Sequence, residues 1–130
     1  MSLTIGLKGH ADDIVSESNT AQTAGSGTLS VFATPFMCAL MEKAAWTSIA
    51  PDLAQGESTV GTKLDVSHIS ATPVGMKVWA ESEITLVDGK RIELNVAAYD
   101  EKGLIGEGTH QRFIVTDGRF MEKTKRKLEE

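Results

Sequence analysis

A single cysteine, Cys38, leaves this chain without an intrachain disulfide and without the paired thiols of a structural metal site. Basic charge is also scarce: 13 lysines and arginines against 18 aspartates and glutamates give a formal net charge of -5. A nucleic-acid partner is therefore not expected, because binding phosphate backbones takes cations that displace condensed counterions. No apolar run is long enough to span a bilayer and no signal peptide opens the sequence, so a cytoplasmic protein with no membrane partner is the expectation. Glycine-rich phosphate loops and a G-x-S-x-G elbow are missing, which argues against nucleotide hydrolysis and the serine hydrolases. Glu42, His68 and His110 are of types that metals accept, but no short-range pair such as H-x-x-x-H is present, and no metal site is expected. A chain of 130 residues holds one core and is too short for two, so a single domain over residues 1–130 is expected.

What the sequence does have is one long apolar run, VFATPFMCALMEKAAWTSIAP, at residues 31–51. Thr34 is a permitted N-cap, Pro35 suits the first helical position, and Pro51 ends the run, so the pattern predicts a helix over 35–50. Only Glu42, Lys43, Thr47 and Ser48 interrupt its apolar character between Phe36 and Ala50, which predicts a helix wrapped by other structure on nearly every side. Cys38 sits inside this run as a packing residue. A carboxylate halfway along such a helix needs a partner or a function, and Glu42 is that carboxylate.

Around this helix the chain reads as strands. Ile5, Leu7, Ile14 and Val15 suggest a first strand or strand pair within residues 1–16, and Asn19 to Ser30 is a small, polar, glycine-containing loop leading into the helix. Residues 59–67 alternate, with Val60, Thr62, Leu64 and Val66 on one face and Gly61, Lys63, Asp65 and Ser67 on the other, delivering His68 at the end. Alternation resumes over 77–87, turns at Asp88-Gly89, returns over 91–99, and ends in a long strand over 104–116, where Gly106 and Gly108 predict bulges or close backbone contacts. The tail from Arg119 reads as a short charged helix or frayed end. One buried helix followed by an antiparallel meander is the α+β pattern of a hot-dog fold, a curved sheet wrapped around a helix. Exposed sheet edges invite pairing with a second copy, so a homodimer with a continuous sheet is expected.

Four runs in this order resemble the hot-dog thioesterases of the fluoroacetyl-coenzyme A thioesterase type: VFATPFMCALMEKAA at 31–45, STVGTKLDVSHISATPVGMKV at 58–78, VDGKRIELNVAAYD at 87–100 and IGEGTHQRFIV at 105–115. The resemblance implies that Thr34, Glu42 and His68 are catalytic, that Gly61 lies against the thioester, and that Arg112 belongs to the site region. It implies hydrolysis of a short acyl-coenzyme A, with coenzyme A as part of the substrate and no separate cofactor. Where the family's fluorine-selective member carries phenylalanines in a lid before the helix, residues 19–30 here contain no aromatic side chain, so a strong fluoroacetyl preference is not expected.

The chemistry these residues offer is acid–base and nucleophilic. Histidine titrates near neutrality, as proton transfer in thioester cleavage requires, and Glu42 offers either a nucleophile or a base for water. Phe32, Phe36 and Met37 are the expected acyl-pocket walls, Phe36 and Met37 being counted with Gly61 and Arg112 as substrate-binding. Oxyanion donors are expected from Phe36, Met37 or the Gly61 strand, because Pro35 has no N–H. His110 has a structural role as its first reading, and His10 has no supporting context. Thr34 and Glu42 stand eight residues apart, about 12 Å along a straight helix, so something must bridge them: substrate, water or a second subunit. A hot-dog dehydratase or hydratase, and a non-catalytic acyl-coenzyme A binding module, are the alternatives from other classes.

Overall fold

The structure, a computed structural model, describes residues 3–129. Five antiparallel strands form one sheet: β1 (Lys8–Ile14), β2 (Glu57–His68), β3 (Lys77–Asp88), β4 (Arg91–Asp100) and β5 (Gly103–Thr116), in the order β1-β3-β4-β5-β2. The Asp88-Gly89 turn joins β3 to β4, with Gly89 at φ 62°, a left-handed conformation that glycine adopts without strain. A short helix α1 (Ala21–Ala24) punctuates what the sequence suggested was a plain loop, and α3 (Asp117–Lys125) is the charged tail helix.

The long helix α2 (Thr34–Ile49) packs on the inner face of the sheet. Met37, Leu40, Met41, Ala44, Ala45 and Ile49 are its buried residues, and their spacing of three and four places them on one side. They meet Val78, Ala80, Ile84, Ile92, Leu94, Val96, Ala98 and Ile105 of the strands, forming the core. The expectation of a helix enclosed on nearly every side is corrected: Phe36 is 38% and Trp46 45% exposed, and with Ala39 and Lys43 they form an open stripe. The five strands of one chain curve around only one side of the helix. The helix start is also shifted. Ala33 is the N-cap and makes no side-chain cap bond, Thr34 is the first helical residue and Pro35 the second, because the Thr34 hydroxyl is engaged elsewhere.

A second correction concerns β2. Gly61 pairs with Arg112 of β5 and Lys63 with Gln111, so Thr62 is an extra residue, a β-bulge. Its hydroxyl donates to the Gln111 carbonyl at 3.2 Å and accepts from the Gln111 amide at 2.9 Å. The bulge reverses the facing of everything before it. Gly61, expected on the face opposite Leu64 and Val66, instead points inward as they do: a side chain at 61 would meet Glu42, while Leu64 and Val66 pack on the core. In β5 an extra residue, Ile105, sits beside Gly106, and a Cβ on Gly108 would overlap the Asp65 carbonyl oxygen, so both glycines serve as expected.

At Gly9 of β1 the helix backbone runs close against the sheet: a methyl group there would overlap the Ala44 carbonyl oxygen and crowd Ser48 and Ser82. Gly9→Ala should therefore destabilise the protein by about 1–3 kcal/mol through overpacking. Urea unfolding measures it, and an unchanged midpoint would contradict the close crossing.

Candidate active site

Two clusters of polar side chains lie between α2 and the strands. At the helix start, the Thr34 hydroxyl and His68 Nδ1 are 2.7 Å apart, joining the first residue of α2 to the last residue of β2. His68 Nε2 is buried and has no hydrogen-bond partner among the described residues. Burial pushes the His68 pKa below its ordinary 6.5, with a smaller opposing pull from the Ser70 backbone. Beside this pair opens a cavity of about 300 Å³ lined by Ala21, Ser26, Val31, Phe32, Ile69 and Ala71. Of the three expected acyl-pocket walls only Phe32 lines it. Met37 is fully buried against Gly106, and Phe36 lies on the open stripe of the helix.

The second cluster surrounds Glu42, two helical turns further on. Glu42 Oε2 lies 3.4 Å from Arg112 Nη1, and a Cβ at position 61 would sit 2.6 Å from the same carboxylate oxygen. A side chain at 61 would push the end of the Glu42 side chain out of this position. Arg112 is buried and held on its other sides: Nε donates to Thr59 Oγ1 at 2.8 Å, Nη2 to the Thr59 carbonyl at 2.9 Å, and Nη1 to His110 Nε2 at 3.1 Å. Accepting at Nε2 fixes the His110 tautomer, so its proton is on Nδ1, which donates to the Lys63 carbonyl at 2.8 Å. Burial lowers the His110 pKa, opposed by the Lys63 carbonyl and reinforced by the Arg112 charge. Burial also lowers that of Arg112, with the Glu42 carboxylate opposing, though a guanidinium stays protonated throughout the working range.

The structure thus brings Thr34 to His68, and Glu42 to Gly61 and Arg112, without bringing the two groups together in one chain. Phe36 and Met37 cannot donate to an oxyanion from the helix start, because both N–H groups already bond the Ala33 carbonyl, at 3.0 and 2.9 Å. Thr59 and His110 belong to the Glu42 cluster and were missed as site residues. A signal existed: His110 and Arg112 are two apart in one strand and share a face, as do Thr59 and Gly61. A larger cavity of about 880 Å³ opens toward the outer face of the sheet, among Glu81, Glu83, Asn95, Tyr99 and Glu107, and contains none of these groups. Among the described residues no group of three or more His, Cys, Asp or Glu is placed to hold a metal, and no helix is long and apolar enough to cross a membrane.

A family model described as fluoroacetyl-CoA-specific thioesterase matches residues 15–118. The chain belongs to this thioesterase family. It is accordingly a hydrolase of acyl-CoA thioesters with the hot-dog fold. A fluoroacetyl-CoA thioesterase from Streptantibioticus cattleyicolor is 41% identical over 97 residues, 75% of this chain and 70% of that one. A solved structure of a fluoroacetyl-CoA thioesterase superposes with a TM-score of 0.93 at 33% identity, 98% of each chain being covered. A thioesterase superfamily member from Thermus thermophilus gives 0.89 at 27% identity, covering 97% of this chain and 93% of that one.

Both lowered histidine pKa values mean that His68 and His110 are neutral at pH 7, able to accept a proton or a hydrogen bond. NMR titration of this thioesterase's imidazole Cε1–H resonances should place both midpoints below 6.5. A midpoint above that value for His68 would contradict the burial that sets it.

Proposed function

We propose that the protein hydrolyses short acyl-coenzyme A esters as a homodimer whose two active sites each join the Thr34–His68 pair of one subunit to the Glu42–Gly61 cluster of the other. The observation that carries this reading is the split itself: the Thr34–His68 pair and the Glu42–Gly61–Arg112 group lie apart along the same edge strand, β2, one at its last residue and the other towards its start. Antiparallel pairing of β2 with its copy about a two-fold axis puts the His68 end of one strand beside the Gly61 end of the other. The same contact extends the sheet and covers the apolar stripe of Phe36, Ala39 and Trp46, which a lone subunit leaves in water.

In such a site the Glu42 carboxylate either takes a proton from the water that adds to the thioester carbonyl, or adds itself and forms an acyl–glutamyl anhydride that water then cleaves to the free acid and the regenerated carboxylate. The carbonyl π electrons move to oxygen, and the tetrahedral adduct collapses by breaking the C–S bond. His68, its Nε2 otherwise unpartnered, relays to the departing coenzyme A thiolate the proton that the attacking water gives up, and ends the cycle neutral as it began. Thr34 orients the imidazole through Nδ1. With the Phe36 and Met37 amides spent inside the helix, the Gly61 segment is the source of oxyanion donors. No cofactor enters this scheme.

The acyl group follows from the cavity beside His68. Its walls from the α1 region are small, Ala21 and Ser26, with no ring to close on a two-carbon acyl chain. An apolar pocket separates acyl groups by only ~1–3 kcal/mol per methylene, so broad selectivity among short chains is the expected behaviour. Release of free thiol from acetyl, fluoroacetyl, butyryl and phenylacetyl esters tests this reading together with Glu42→Gln and His68→Ala. Each substitution should slow hydrolysis by at least ~100-fold in a folded protein. Turnover unchanged in either variant removes that residue from the mechanism, a fluoroacetyl preference above about a thousandfold refutes the open pocket, and binding without thiol release points to the dehydratase or binding-module class.

A further inference from the structure

The contact between Arg112 and Glu42 is unusual for an arginine facing a carboxylate. Such pairs favour a two-pronged fork of parallel N–H···O bonds, which engages both carboxylate oxygens. Here one guanidinium nitrogen reaches one oxygen at 3.4 Å, and Glu42 Oε1 has no hydrogen-bond partner among the described residues. The reason is visible in the other bonds of Arg112. Thr59 takes Nε through its hydroxyl and Nη2 through its carbonyl, which uses up one edge of the guanidinium. His110 takes Nη1 from the side, and is itself anchored to the Lys63 carbonyl at the bulge. Of the arginine's nitrogens only Nη1 then reaches Glu42, and the second N–H of Nη2 bonds no described residue.

We propose that Thr59 and His110 are positioning residues that act through Arg112, holding the guanidinium so that it stabilises the Glu42 carboxylate without capturing it. This rests on the reading of Glu42 as the reacting carboxylate. A forked pair would tie up both oxygens in charge-assisted bonds that must break before the carboxylate can add to a carbonyl or take a proton from water. A lone, long contact supplies positive charge and leaves Oε1 free. His110 performs its part only as the neutral Nδ1–H tautomer: burial favours the neutral ring, and the Lys63 carbonyl selects Nδ1 as the nitrogen that carries the proton. Thr59 supplies two acceptors from one residue, so the restraint depends on its hydroxyl as well as on the strand that carries it.

The test is a pair of conservative exchanges and a double-mutant cycle. Thr59→Val keeps the side-chain shape and removes the acceptor, whereas Thr59→Ser keeps the acceptor. His110→Leu and His110→Gln make the same comparison from the other side, and decide the matter if Thr59→Val does not fold. Thr59→Val and His110→Leu should lower kcat roughly 10- to 100-fold, the scale of a displaced catalytic group, with KM unchanged, and Thr59→Ser and His110→Gln should restore most of it. In an Arg112→Gln background Thr59→Val should have no further effect, because the two act through one group. Wild-type kcat in folded Thr59→Val and His110→Leu, or losses that multiply with that of Arg112→Gln, would overturn the proposal. Failure of the underlying reading is separable: if Glu42→Gln retains full turnover, Glu42 is not the reacting group and its positioning is moot, whereas an inactive Glu42→Gln beside a fully active Thr59→Val defeats the positioning role alone.

Discussion

The arrangement of polar groups depends on one extra residue in β2. Gly61 and His68 are seven positions apart, an odd separation that in an unbroken strand would put them on opposite faces of the sheet. The bulge at Thr62 corrects the parity, so both face α2, and with Gly61 the inward set includes Thr59. Without it Glu42 would face a side chain of the outer set, and Arg112 would lose both Thr59 acceptors. The distortion is well supported. The Thr62 hydroxyl exchanges hydrogen bonds with Gln111 on one side, and the Lys63 carbonyl accepts from His110 Nδ1 on the other.

The second constraint is the mismatch between a helix, rising 1.5 Å per residue, and a strand, rising about 3.3 Å. α2 touches the ends of β2 at Thr34 with His68 and at Glu42 with Gly61, and nothing in one chain closes the distance between. Each contact is electrostatically distinct. His68 sits in a partly buried, uncharged setting that keeps it neutral, while Glu42 faces a buried arginine. The carboxylate and the imidazole are thus held in separate environments, one beside a buried cation and the other without a charged neighbour.

Much of this architecture was legible in the sequence. Alternation marked four of the strands, Asp88-Gly89 marked the hairpin, and the apolar run with Pro35 and Pro51 marked the helix, because each signal is local and reflects backbone sterics or periodic burial. Three features were not. The N-cap moved from Thr34 to Ala33 because a hydrogen bond to a residue 34 positions away claimed the hydroxyl, a tertiary fact with no local trace. The bulge was hidden because Val60-Gly61-Thr62-Lys63-Leu64 alternates as well with an extra residue as without one. The open stripe of Phe36, Ala39 and Trp46 was hidden because a one-dimensional pattern cannot distinguish apolar residues covered by the same chain from apolar residues left for another. Of the site, the resemblance led to Thr34, Glu42, Gly61, His68 and Arg112, and the structure groups them in two clusters. Thr59 and His110 escaped because their significance lies in what they do to Arg112.

If a complete site takes one half from each of two subunits, mixing differently disabled subunits restores activity. Glu42→Gln and His68→Ala are each expected to be inactive as homodimers, but a heterodimer of the two contains one site with both native residues and one with neither. Co-expressed in equal amounts and paired at random, they should recover roughly one quarter of wild-type thiol release, as expected for two equivalent sites in an isologous dimer. Activity that stays at the level of the separate variants in verified heterodimers would show that Glu42 and His68 work within one chain, and would contradict the account.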